Sequence, residues 1–207
     1  MYYTKYSFLL LILLLLLGGC ASGPSKTPPA LPAIEKQDTK TGAYEPSVEN
    51  LVTLYQDALT ELNNNNLNKA EKYFLEVTQK HPDFAGPWAN LALIYIKQEH
   101  YKKAEHYVQK SLEKNPEMAQ ALNIAGLIEE QKGNINKAKN YYEKAIEKKP
   151  DYTLAHYNLA LLYDVYLQNI REAIKHYQQY LSLLDGKDEK TETWVEELKF
   201  NLTNGDT

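Results

Sequence analysis

The chain has 207 residues, a formal net charge of −4 and a single cysteine. The acidic balance disfavours nucleic acid or an anionic bilayer surface as the main partner. One cysteine rules out an intrachain disulfide framework. The first element is an apolar run of ten residues, Phe8 to Leu17. A membrane span needs about 20 apolar residues, whereas 10 to 14 fit the h-region of a signal peptide. Lys5 and the N-terminal amine supply the only positive charge ahead of it, an acceptable n-region. Gly18 and Gly19 follow, and then Cys20.

The segment Leu17-Gly18-Gly19-Cys20 resembles the bacterial lipobox, in which the thiol is acylated and the polypeptide is cut before the cysteine. No A-x-A-like site of an ordinary secretory signal stands there. The resemblance implies a signal peptide over residues 1–19 and a diacylglycerol plus an N-acyl group on Cys20. Two or more acyl signals anchor stably where one binds only marginally. Ala21 after the cysteine implies sorting to the outer membrane of a Gram-negative cell, facing the periplasm. Loss of residues 1–19 removes Lys5 and no acid, leaving 22 basic against 27 acidic side chains.

Residues 20–47 carry five of the nine prolines and show no apolar periodicity. Such a segment buries too little surface to offset its ordering entropy. As a linker it would reach roughly 80 Å if fully polyproline-like and average roughly 30 Å as a coil.

From residue 48 the texture becomes periodic. Ala58, Ala92, Gly126 and Ala160 lie 34 apart; Ala70, Ala104, Ala138 and Ala173 follow at 34, 34 and 35; Pro82, Pro116 and Pro150 keep the same period. Phe74, Val108, Tyr142 and Tyr177 each follow the second series by four residues. Within "NINKAKNYYEKAIEKKP", Ile135, Ala138, Tyr142, Ala145 and Ile146 form one helical stripe. Small residues at 126 and 138 predict a close helix–helix approach, and Pro150 stops the second helix. "NNNN", Asn63 to Asn66, predicts a turn, because Asn competes with helical backbone bonds.

This pattern resembles the tetratricopeptide repeat, a helix-turn-helix unit of 34 residues. "PWANLALIY", Pro87 to Tyr95, carries the family's tryptophan. The resemblance implies an all-α solenoid of about four repeats: 51–84, 85–118, 119–152 and 153–186. The fourth holds one extra residue in its turn, and "LDGKD" replaces its terminal proline. Trp194, Val195, Leu198 and Leu202 keep helical spacing, so residues 187–207 are expected to supply a capping helix, Thr191 to Leu202, and a tail.

No metalloprotease, nucleophile-elbow, P-loop or CxxC motif occurs. The protein is therefore expected not to be an enzyme and to need no cofactor, metal or small-molecule substrate. His100 and His106 lack a third ligand at usable spacing and read as surface residues. Asp188 and Glu189 read as loop charges. The lysines Lys102, Lys103, Lys137, Lys139, Lys148 and Lys149 read as a solvated convex face. Tyr73, Tyr95, Tyr107, Tyr141, Tyr142 and Tyr163 read as packing residues.

In the family the first helix of each repeat lines a concave groove. Carried onto this sequence, that implies Tyr55, Gln56, Leu59 and Leu62; Asn90, Leu93 and Lys97; Asn123, Leu127 and Gln131; and Tyr157, Asn158, Leu161 and Val165. Leu59, Leu93, Leu127 and Leu161 stand 34 apart as an exposed apolar ladder, flanked by Asn90, Asn123 and Asn158. Amides can pair with a bound peptide backbone, and leucines can bury its side chains. Tyr55 and Leu59 stand where a carboxylate clamp would need lysine and asparagine, so this groove is not expected to read the C-terminus of a partner. The resemblance implies an adaptor for another envelope protein, of the kind that serves pilus secretins or TonB-type systems. The alternative is a recruiter or regulator of a peptidoglycan synthase or hydrolase.

Overall fold

The computed structural model describes residues 46–204. They form α1 (Pro46–Asn63), α2 (Leu67–Lys80), α3 (Ala85–Lys97), α4 (Tyr101–Lys114), α5 (Ala119–Gln131), α6 (Ile135–Lys148), α7 (Thr153–Val165), α8 (Ile170–Ser182) and α9 (Glu189–Asn204). The expected leader, Cys20 and the linker lie outside the described residues. Consecutive helices pair, α1 with α2 through to α7 with α8, and each pair packs on the next. The result is an all-α solenoid closed by α9 against α8.

Burial divides the helices into two kinds. In α3, ten consecutive or near-consecutive positions from Ala85 to Tyr95 are buried, whereas α4 buries only Ala104, Val108 and Ser111. The inner helices α3, α5 and α7 lie between neighbours and are buried over most of their length. The even-numbered helices are amphipathic, with one stripe inward. Ala58, Ala92 and Ala160 are fully buried where the paired helices touch, as are Ala70, Ala104, Ala138 and Ala173 opposite them. At Gly126 the approach is closest: a Cβ there would stand 2.6 Å from Cδ1 of Tyr142.

Each α2, α4 and α6 ends two residues before its proline, at Lys80, Lys114 and Lys148. The turn inside each pair is also repeated. Asn65, Glu99, Gly133 and Gln168 adopt positive φ of 59°, 60°, 77° and 51°. The amides of Asn66, His100 and Asn134 then reach back five residues to carbonyls of Glu61, Tyr95 and Glu129, whereas Asn169 reaches back six, to Tyr163. The extra residue of the fourth repeat is absorbed there.

The expected capping helix starts two residues earlier and ends two later than the periodicity indicated. Asp188 corrects the loop-charge reading. Its Oδ1 accepts from the Thr191 amide at 3.1 Å, and its Oδ2 accepts from Thr191 Oγ1 at 2.7 Å and from Tyr180 at 3.0 Å. It therefore caps α9 and pins it to α8. Trp194 adds a 2.7 Å bond from Nε1 to Asp164.

The side chains beside each turn alternate from repeat to repeat. In the first and third, Glu61 and Glu129 accept from Asn66 and Asn134 at 2.8 and 2.9 Å and face Lys69 and Lys137. In the second and fourth, Tyr95 and Tyr163 replace those glutamates. Tyr95 stacks on Tyr107, which stacks on Trp88; Tyr163 stacks on His176, which packs on His156. Lys103, read from sequence as merely solvated, sits 4.9 Å over the Tyr95 ring. Lys114 and Lys148 bridge to Asp83 and Glu117, one repeat apart. Exposed pairs of this kind contribute little individually.

Candidate functional site

The stacked α1, α3, α5 and α7 present one continuous face, with α3 beside α5 and α5 beside α7. Leu59, Leu127 and Leu161 are half-buried on it, and Leu93 is more enclosed, at 8% exposure. The ladder is therefore partly filled by packing between neighbouring helices. Gln56, Lys97, Gln131 and Val165 are exposed, while Leu62 is buried.

The polar residues differ from the sequence expectation. Tyr55, Asn90, Asn123, Tyr157 and Asn158 are all buried, Asn90 to 1% exposure. Asn90 donates through Nδ2 to the Tyr55 hydroxyl at 3.1 Å and accepts at Oδ1 from Gln120 at 2.8 Å. Asn158 donates to Asn123 Oδ1 at 3.0 Å. These amides join one repeat to the next beneath the leucines rather than standing free beside them. Burial, offset in part by the Asn90 bond, pushes the Tyr55 phenol up to about 12. Burial and the nearby Asp188 carboxylate do the same for Tyr157, also to about 12. Neither phenol ionises near neutrality, so both act as packing and hydrogen-bonding groups.

Sequence reasoning passed over Gln120. Its amide is half-buried and closes the Tyr55–Asn90 network from α5. The signal was available: residue 120 lies one turn ahead of Asn123 on the same helix face. The His156–His176 contact was also passed over, because the two residues stand 20 apart in sequence and neither begins a metal-ligand spacing.

The face carries no cluster of general acids or bases. Glu130 and Asp164, near its edge, are held by Tyr142 at 2.8 Å and by Tyr177 and Trp194 at 3.3 and 2.7 Å. Among the described residues no group of three or more His, Cys, Asp or Glu side chains could hold a metal ion. None of the described helices is long and apolar enough to cross a membrane. The face thus offers three half-buried leucines and the more enclosed Leu93 on an internally hydrogen-bonded support.

Comparison with known proteins agrees with this architecture. Tetratricopeptide-repeat models match residues 85–118 and 119–152. No curated protein matches the sequence. Among solved structures, PilF of Pseudomonas aeruginosa is similar at TM-score 0.66 and 18% identity, over 77% of this chain and 72% of that one. TTC0263, a thermophilic TPR protein of Thermus thermophilus, is similar at 0.61 and 20%, over 72% and 81%. The Thermobaculum terrenum O-GlcNAc transferase is similar at 0.60 and 18%, over 67% of this chain but only 27% of its own. At these identities the likeness is one of fold. Residues 85–152 carry two tetratricopeptide repeats, and the described residues stack as an all-α solenoid.

Proposed function

We propose that the protein is a protein-binding adaptor, held by lipid at Cys20 to the periplasmic face of the outer membrane and serving assembly of an envelope complex. One observation carries the binding half of this reading. The leucine ladder of α1, α3, α5 and α7 lies on a face whose buried amides are hydrogen-bonded within the molecule, so a partner covering the leucines need not satisfy those amides. Tetratricopeptide repeats bind protein partners, and the fold likeness to PilF favours a pilus-related machine among the envelope complexes. The lipobox-like Leu17-Gly18-Gly19-Cys20 supports the anchor.

Two experiments test it. Metabolic acyl labelling of wild type and Cys20→Ser should show label in the wild type alone; equal label in both would remove the anchor. Capture of partners by the lipidated protein should be lost with Leu127→Asp and kept with Lys102→Ala plus Lys144→Ala on the outer face. The reverse pattern would move recognition from the leucines to the lysines.

A further inference from the structure

His156 and His176 replace, in the fourth repeat, the Trp88 and Tyr107 of the second. The substitution is close. Trp88 Nε1 donates to the Pro82 carbonyl at 2.9 Å, and His156 Nε2 lies 2.9 Å from the carbonyl of Pro150, the equivalent proline. That contact requires the His156 proton on Nε2, which leaves a lone pair on Nδ1. His156 Nδ1 and His176 Nδ1 are 3.1 Å apart. His176 must therefore carry its own proton on Nδ1 and donate it. A single series of hydrogen bonds runs from α8 through α7 to the turn before α7, and it has room for one proton between the rings.

Burial opposes a further proton on the pair, and Glu172 favours one. His156 is buried, and the His176 side chain is only 14% exposed. Tyr163 stacks on His176 and reaches toward Glu143 of α6 at 3.5 Å. Glu172 of α8 lies 4.0 Å from His176 Nε2, and Lys175 of α8 holds that carboxylate at 3.0 Å. In the other repeats a lysine, Lys69, Lys103 or Lys137, occupies the place of Glu172.

We propose that the His156–His176 pair is an acid-sensitive latch on the last repeat. With one shared proton it ties α7, α8 and the preceding turn together. Acid adds a proton first to Nε2 of His176, which puts one buried cation in the contact. A further proton on His156 Nδ1 sets two N–H groups and two cations against each other and loosens that end of the solenoid, including the Leu161 position of the ladder and α9. The energetic support is the imidazole of His176, pushed down to about 4 by burial first, then by His156 and Lys175, with Glu172 acting the other way. The sign follows. The unfolded protein takes up this proton near pH 6.5 and the folded protein only near pH 4. The contribution is intact above about pH 6.5 and is lost progressively as pH falls toward 4.

The test compares the full-length wild type with His156→Trp plus His176→Tyr, which copies the second repeat. Urea unfolding is measured from pH 7.5 to 4.5, with amide hydrogen exchange at both ends of the range. Between those limits the wild-type folding constant should fall on the order of a hundredfold further than that of the double variant. Amides of α7, α8 and α9 should lose protection before those of α1 to α6. Equal falls in both proteins, or protection lost first elsewhere, would overturn the latch. Should the double variant not fold, nitrogen-15 spectra of the wild-type imidazoles decide. The latch requires the Nε2–H form of His156 and the Nδ1–H form of His176 at pH 7. A His176 midpoint near 6.5 would refute it.

Discussion

Tyr142 packs against Gly126 of the paired helix and donates its hydroxyl to Glu130, one turn further along that same helix, at 2.8 Å. Tyr177 and Asp164 repeat the bond at 3.3 Å in the next unit. The first two repeats put Leu62 with Phe74 and Ile96 with Val108 at those positions. The pair thus changes as a pair, apolar in the first half of the solenoid and phenol–carboxylate in the second.

Gly126→Ala should separate two opposed effects. Alanine gains roughly 1 kcal/mol of helix propensity over glycine. The added methyl must displace the buried Tyr142 ring, an overpacking cost of roughly 1–3 kcal/mol. Net destabilisation is expected, and it should shrink in a Tyr142→Val background, where the ring is absent. Urea midpoints for the four proteins of that cycle would show it. Gly186→Ala, where a Cβ meets nothing within 4 Å, is the neutral reference.

The left-handed turn residues give predictions of opposite sign. Glu99 and Gln168 hold φ of 60° and 51° with full side chains, a conformation costing roughly 1–2 kcal/mol. Glu99→Gly should relieve part of that and raise stability by about 0.5–1 kcal/mol. Gly133→Ala, at φ 77°, should lower it by about 1 kcal/mol. Thermal midpoints that move in the same direction for both would show that backbone conformation does not govern these turns.

Asp188→Ala removes the acceptor for Thr191 and Tyr180 together, so it should cost about 1–2 kcal/mol and free the end of α9. Burial raises the Asp188 carboxyl, but the hydrogen bonds from Thr191 and Tyr180 outweigh it and hold the group below its usual range. The cap should therefore be fully present above about pH 4 and fade as acid titrates the carboxylate. Proteolysis within residues 187–204 at neutral and acid pH, in wild type and variant, measures it.

Asn158→Ala carries a stability prediction rather than a purely binding one. It leaves Asn123 Oδ1 without its buried donor and should cost about 1–3 kcal/mol. Leu161→Asp, half-exposed above it, should leave helix content by circular dichroism unchanged while abolishing partner capture. A large loss of fold with Leu161→Asp would mean that the ladder is core.

The repeat register was legible because small residues, aromatics and prolines at 34-residue spacing are each forced by a contact. Ala104 and Ala138 are fully buried where paired helices touch, and Pro82, Pro116 and Pro150 cannot continue a helix. The fate of Asn90, Asn123 and Asn158 was not legible. An amide at a helix position looks the same in sequence whether it faces a ligand or the amide of the next repeat. Asp188 was misread for a related reason, since its acceptors are used by Thr191 beside it and Tyr180 eight residues back. The His156–His176 contact is invisible until α7 and α8 are set antiparallel.

The alternation of Glu61, Tyr95, Glu129 and Tyr163 has a consequence for how such a solenoid can be lengthened or shortened. Glu71 of α2 accepts from Tyr95 of the following unit at 2.6 Å. Excising residues 85–118 would bring Glu129 to the place of Tyr95 and set two carboxylates against each other. Excising 85–152 would bring Tyr163 there, and the phenol would meet its acceptor again. In backbone the period is one helix pair; at this turn the alternation of glutamate and tyrosine has a period of two, 68 residues.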